Sequence, residues 1–341
     1  MFLTIHWQRT DLIDEDEQVV QSRTSEQRET LEESSGITVE EWENQRVKLS
    51  KVTVSASGAE QIQKKEGIYV TMSMPTLYVG DTEGLQQLEK SLTKQLVDLH
   101  EPLEITKEGP ILVVGLGNKT ITPDAIGPFV IDHLQQKLED EETSPFILYA
   151  PGVTAQTGLE TKDFIEALVN KVNPQLVIVI DALATRASNR LCKTIQLTNT
   201  GIHPGSGVGN ERAEIAKETL GVPVTAIGVP TVVEGTVLLA DAIEMLFRAI
   251  AGRIQEKQMP SRALSVLPWQ PNERMDINYE LIKPLFGEWS LWAKEERLKL
   301  FEEIFTGRER LIVTPKEVDI WLVHYAMLVC NALLRWSKQL Q

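Results

Sequence analysis

Two apolar runs, ILVVGL at 111–116 and LVIVI at 176–180, do most to limit what this chain can fold into. Neither alternates with polar residues, so each reads as a strand buried on both faces, the mark of a mostly parallel sheet covered by helices. Around them, strand-like and helix-like segments alternate. Further strands are expected at 47–54, 67–72, 146–149, 194–197 and 222–227, and helices at 82–99, 123–138, 159–172, 231–251, 289–305 and 315–336. The pattern predicts an α/β fold, a three-layer α/β/α sandwich with a mostly parallel or mixed sheet. In the last helix, Thr314 is expected as the cap, Pro315 at the first helical position and Glu317 closing a capping box.

A single main domain over 11–341 is expected, with long additions. From Asp14 to Glu43 there are eleven acidic residues and only Arg23 and Arg28 as bases, which reads as a solvated segment or insertion. Residues 252–288 carry Pro260, Pro268, Pro271 and Pro284 and read as a connection to C-terminal helices at 289–336. The net charge of −15 argues against nonspecific nucleic-acid binding, which needs Lys and Arg to displace phosphate counterions. No signal-like start and no apolar run of membrane-spanning length is evident, so a cytoplasmic protein without membrane contact is expected. Cys192 and Cys330 are too few for a disulfide framework and read as buried small hydrophobes.

Each apolar run ends in a residue that could carry chemistry. After the first comes a glycine-containing turn and a helix expected to begin near Thr122, with Pro123 at its first position and Asp124 in its first turn, where backbone N–H groups favour a carboxylate. The plain reading of Asp124 is a helix-start aspartate. The second run meets Asp181 at its carboxyl end, where open parallel sheets bind ligands; its plain reading is an ion pair with Arg186. If the strands are neighbours, the carboxylates face one crevice, share a proton, activate water and protonate a leaving amine. Gly117, Asn118, Arg186, His203, Gly205 and Gly207 are the candidate substrate-binding or cleft-lining residues. The run 200–210 holds four glycines but lacks the Lys-Ser/Thr ending of a P-loop, and a glycine wall admitting a substrate backbone is at least as good a reading. Two readings of His203 stand: a turn hydrogen bond, or a third metal ligand beside Asp124 and Asp181. Serine-hydrolase, zinc-protease and pepsin-type signatures are absent.

The segments RTDL at 9–12, GLGNKTITPDAIGP at 115–128, IDALATR at 180–186, TNTGIHPGSGVGNERAE at 198–214, TLGVPVTAIGVPTVV at 219–233 and VTPKEVD at 313–319 resemble, in order, the germination proteases of spore-forming bacteria. The resemblance implies an endopeptidase that degrades small acid-soluble spore proteins during germination, working in the forespore or spore core. It also implies a homotetramer, a zymogen that loses a short N-terminal segment (here within 1–10), and a fold similar to the phosphorylase/hydrolase-like fold of hydrogenase-maturation proteases. The implied catalysis is an atypical aspartic one through the positions matching Asp124 and Asp181, with no cofactor. Two alternatives are a metal-assisted peptidase using His203 as well, and a non-catalytic protein that binds spore proteins.

Overall fold

The structure is a computed structural model that describes residues 12–15, 36–62, 64–139, 141, 143–152, 160–204, 213–257, 277–305 and 311–340. These gather into two compact units, one running from Leu12 to Val232 and resuming at Thr314, the other spanning 233–313. The boundary falls inside the range expected as one domain.

The larger unit is built on strands β1 (Ile37–Asn44), β2 (Val47–Val54), β3 (Gly67–Ser73), β4 (Ile111–Gly115), β5 (Phe146–Tyr149), β6 (Leu176–Thr185), β7 (Thr194–Thr198) and β8 (Val224–Glu234). They lie in the order β1-β2-β3-β7-β8-β6-β4-β5. β4 runs parallel to both β5 and β6, while β1, β2, β3, β7 and β8 pair antiparallel in succession, so the sheet is mixed. Its helices are α1 (Ala56–Ile62), α2 (Thr82–His100), α3 (Ile126–Leu138), α4 (Thr161–Val172), α5 (Lys217–Leu220) and, after the smaller unit, α9 (Val318–Ser337).

Side chains leave a strand on alternate faces, and both faces of the central strands are apolar. Ile111, Val113, Ile178 and Ile180 pack with Leu92 of α2, Val130 of α3 and Tyr325 of α9. Leu112, Val114, Val177 and Val179 pack on the other face with Ile165 and Val169 of α4. Helices therefore cover both sides, and the sandwich is three-layered as the apolar runs implied. α9 is long and apolar enough to cross a membrane by length and composition. Its Trp321, Tyr325, Val329 and Trp336 are nonetheless buried in this core, which explains its apolarity without a bilayer.

Several boundaries differ from expectation for physical reasons. The acidic stretch is structured where it is described: Ile13–Glu15 forms a 3-10 turn with Asp14 buried, and Ile37–Asn44 is an edge strand. Ile37 and Val39 are buried while Thr38 and Glu40 are exposed, an alternation hidden by the high acidic content. β6 continues past Asp181 because Leu183, Ala184 and Thr185 are also buried. β8 runs to Glu234, since Val229, Thr231 and Val233 are β-branched and buried, and the expected helix starts only at Gly235. α9 begins at Val318 with no side-chain cap, because Thr314 spends its hydroxyl on the carbonyl of Thr231 instead.

The smaller unit holds α6 (Gly235–Lys257), α7 (Lys283–Phe286), α8 (Lys294–Phe305) and β9 (Ile312–Val313), which pairs with Val233 and Glu234, the two residues of β8 that belong to this unit. Phe247 is fully buried there, against Phe286 and Trp289. Arg297, stacked over the Phe247 ring, is ion-paired to Glu244, which also accepts from the Tyr279 hydroxyl at 2.7 Å. The stretch 252–288 thus contributes helix and core packing where it is described; 258–276 lie outside the described residues.

Candidate active site

β4 and β6 are adjacent and parallel, and Gly115 opposite Ile180 is their last registered pair. The Leu116 N–H still reaches the Ile180 carbonyl oxygen at 2.8 Å, so Asp181 stands at the end of that pairing. The chain then turns through Gly117, whose φ of +113° suits only glycine. A Cβ at Gly117 would collide with the carbonyl oxygen of Asp124. One at Gly127, in the first turn of α3, would lie 2.6 Å from the carbonyl oxygen of Ile180. Two glycines therefore let the turn after β4 and the start of α3 close onto the backbone of β6, bringing Asp124 and Asp181 to the same end of neighbouring strands.

Asp124 closes a 3-10 turn, Thr122–Asp124, and α3 begins only at Ile126. This corrects the expected placement inside the helix: Thr122 starts the 3-10 turn instead of capping α3, and Pro123 is the second residue of that turn. The carboxylate is held from the other side, where Oδ2 accepts the Asn118 backbone N–H at 2.8 Å. Asp124 is half-buried, which leaves it open to a ligand. Asp181 is buried, and its Oδ1 accepts from the Ala182 N–H at 2.9 Å.

The other candidates divide. Asn118 contributes its backbone N–H to Asp124, while its side-chain oxygen braces the turn by accepting from the N–H and hydroxyl of Thr120. Arg186 follows β6 and gives its backbone N–H to Glu15 Oε2 at 2.8 Å. His203 is exposed, and its Nε2 lies 3.0 Å from Glu214 Oε1, which Lys65 also meets at 2.7 Å. Burial works against ionising Glu214, but the His203 and Lys65 contacts outweigh it and hold that carboxyl below its usual range. Among the described residues no three His, Cys, Asp or Glu side chains gather as a metal site, so His203 does not join the two aspartates in one. Gly205 and Gly207 lie outside the described residues.

Sequence reasoning missed the groups that fix the flanks. Glu15 accepts from the Thr185 hydroxyl as well as from Arg186, and Arg190 forks onto Asp14 at 2.9 and 2.7 Å. Only the excess of acids around Asp14 was visible, with no sign of which base would meet them. Cys192 and Cys330 are buried, and burial pushes their thiols up to about 12 and about 11, so they are inert hydrophobes, as their type suggested.

A family model described as germination protease matches residues 13–337. The chain belongs to the germination protease family. A germination protease of Geobacillus sp. (strain WCH70) is 37% identical over 97% of this chain and 94% of its own length. Those of Bacillus cereus (strain 03BB102) and Bacillus mycoides (strain KBAB4) are each 38% identical over 95% of this chain and 92% of their own. Family membership makes the chain a peptide hydrolase. A crystal structure of a NiFe hydrogenase maturation protease from Thermococcus kodakarensis KOD1 matches 36% of this chain and 74% of its own, at 19% identity and a TM-score of 0.26. That likeness is too slight to bear on the site.

Proposed function

We propose that this chain is an endopeptidase that degrades small acid-soluble spore proteins during germination, with Asp124 and Asp181 as the pair that activates water. The observation that carries this reading is the closure of the Gly117 turn and the start of α3 onto β6 beside Asp181. In the proposed cycle one carboxylate takes a proton from water as the oxygen attacks the peptide carbonyl carbon. The other, protonated, gives its proton to the amine as the C–N bond breaks. The Asn118 N–H keeps Oδ2 of Asp124 oriented. No cofactor is invoked. Action in the forespore or spore core, assembly as a homotetramer and activation by loss of an N-terminal segment belong to the same proposal; they are tested by localisation, solution mass and N-terminal sequencing.

Asp124→Asn and Asp181→Asn, each assayed on an intact small acid-soluble spore protein by mass spectrometry, test the mechanism. Each is expected to keep the fold and lower kcat by about 10²–10⁴. Full activity of either folded variant removes that residue from the mechanism. A wild-type protein that retains the spore protein without producing defined fragments is a binder and not a protease.

A further inference from the structure

The antiparallel half of the sheet carries a pocket of about 770 Å³ that the proposed chemistry does not use. This is within the roughly 300–1,000 Å³ typical of ligand sites. Its floor is polar, where β4 and the facing part of β6 are apolar. Residues directly opposite in antiparallel strands share a face, and two such rows cross three strands: Lys48, Ser73 and Thr194, then Ser50, Thr71 and Gln196. Thr71 and Thr194 are 2% and 0% exposed, line the pocket, and have hydroxyls without a hydrogen-bond partner among the described residues. Buried polar groups are almost always paired, so two orphans on one pocket floor point to a ligand.

The walls narrow the kind of ligand. Lys48, Arg190 and Lys193 are matched by Asp14, Glu41 and Glu43, a balanced set that does not favour a phosphate or nucleic acid. Trp42 adds an apolar surface on the β1 side. Hydroxyls that both donate and accept, mixed charges and one aromatic wall suit the amides and side chains of a polar peptide. The pocket also lies toward the end of the sheet that bears the aspartates. Ala187, Asn189 and Arg190 in its wall follow directly on β6; next to Thr194, the Cys192 N–H meets the Pro230 carbonyl oxygen; and the following residue, Thr231, bonds Pro123 beside Asp124.

We propose that this pocket is an accessory site that binds a polar, mixed-charge peptide stretch of the polypeptide substrate, away from the bond that is cut. The inference rests on the peptidase reading above and goes beyond it in assigning substrate recognition to a second surface.

Thr71→Val and Thr194→Val, combined in one chain, test it, because valine keeps the shape and removes only the hydroxyl. As the hydroxyls have no described partner, the melting temperature is expected to hold or rise. KM for an intact small acid-soluble spore protein is expected to rise about tenfold at unchanged kcat, the loss of two neutral hydrogen bonds. Hydrolysis of a short synthetic peptide spanning one observed cut site is expected to stay at the wild-type rate. An unchanged KM for the intact protein overturns the proposal, and so does an equal loss on both substrates. If the wild-type enzyme cuts neither substrate, the peptidase reading has failed on its own. The pocket is then judged by fluorescence anisotropy with the labelled intact spore protein: about tenfold weaker binding to the double variant supports it, and equal binding overturns it.

Discussion

The hydroxyl of Thr231 donates to the carbonyl oxygen of Pro123 at 2.7 Å, tying β8 to the residue before Asp124. The carbonyl of Thr231 accepts in turn from the Thr314 hydroxyl at 2.8 Å, just ahead of α9. Three stretches far apart in sequence thus meet at the 3-10 turn that presents Asp124. Thr231 is fully buried and Pro123 half-buried, so the bond between them is partly screened from water.

Replacing Thr231 by valine keeps the volume and leaves the Pro123 carbonyl unpaired. The cost to stability is expected to be about 0.5–1.5 kcal/mol, the net worth of one part-buried hydrogen bond. If the bond positions Asp124, kcat on a spore protein falls about tenfold while KM holds. A melting curve and a kcat-against-KM comparison check this; a stability loss with kcat intact would make Thr231 a purely structural residue.

Gly117→Ala is expected to be far more damaging to activity than its size suggests. The new methyl would collide with the Asp124 carbonyl, and the φ of +113° is one that alanine avoids. Gly80→Ala is the matched control, since Gly80 also has a positive φ, of +90°, but nothing within 4 Å of its added Cβ. Loss of activity by about a hundredfold or more in Gly117→Ala, with Gly80→Ala close to wild type, supports a turn shaped to seat Asp124. Similar behaviour of the two would show that only the backbone cost matters.

What the sequence disclosed follows from how local each signal is. The double-faced apolarity of β4 and β6 could be read directly, because burial on both sides leaves no polar residue in the run. Asp181 is visible as the charge that ends one such run, and Asp124 as an acid beyond the glycine-containing turn that follows the other. The support around them was not. Glu15 meets Thr185 and Arg186 across about 170 positions of chain, and nothing in a run of acids says which will be buried. β1 was lost for a related reason, since composition reports the glutamates and only the alternation of Ile37 and Val39 reports the strand. The late start of α3 reflects competition between a 3-10 turn and a helix over Thr122–Asp124, which the Thr-Pro-Asp sequence alone does not decide.

Asp14 and Arg190 form a largely buried, two-bonded pair, with side chains 7% and 17% exposed. Arg190 also lies 3.6 Å from Glu15, so Asp14→Asn removes its two-bonded partner but leaves a second acid nearby, and is expected to cost about 1.5–3 kcal/mol. Adding Arg190→Met to it is expected to recover part of that loss, because Glu15, the remaining charge of the cluster, still accepts from the Thr185 hydroxyl and the Arg186 N–H. Denaturant melts of the two single variants and the double variant measure the coupling, and simple additivity would show that the pair is not an energetic unit.

His100 gives the fold a pH dependence separate from catalysis. Its ring is buried against Trp336 at 4.7 Å, with Nε2 2.8 Å from the Thr225 hydroxyl, and burial pushes its pKa down to about 4. In the unfolded chain a histidine titrates near 6.5, so between those values the unfolded state binds the extra proton and stability rises with pH. The contribution is complete above about pH 6.5 and lost as pH falls toward about 4, an effect of order 3 kcal/mol. Carboxylates titrate in the same window, so the quantity to measure is the stability of wild type minus that of His100→Gln, by denaturant melts from pH 4 to pH 7.5. That difference is expected to shrink steadily as the pH falls and to be flat above pH 7; a pH-independent difference would mean that His100 is not kept neutral by the fold.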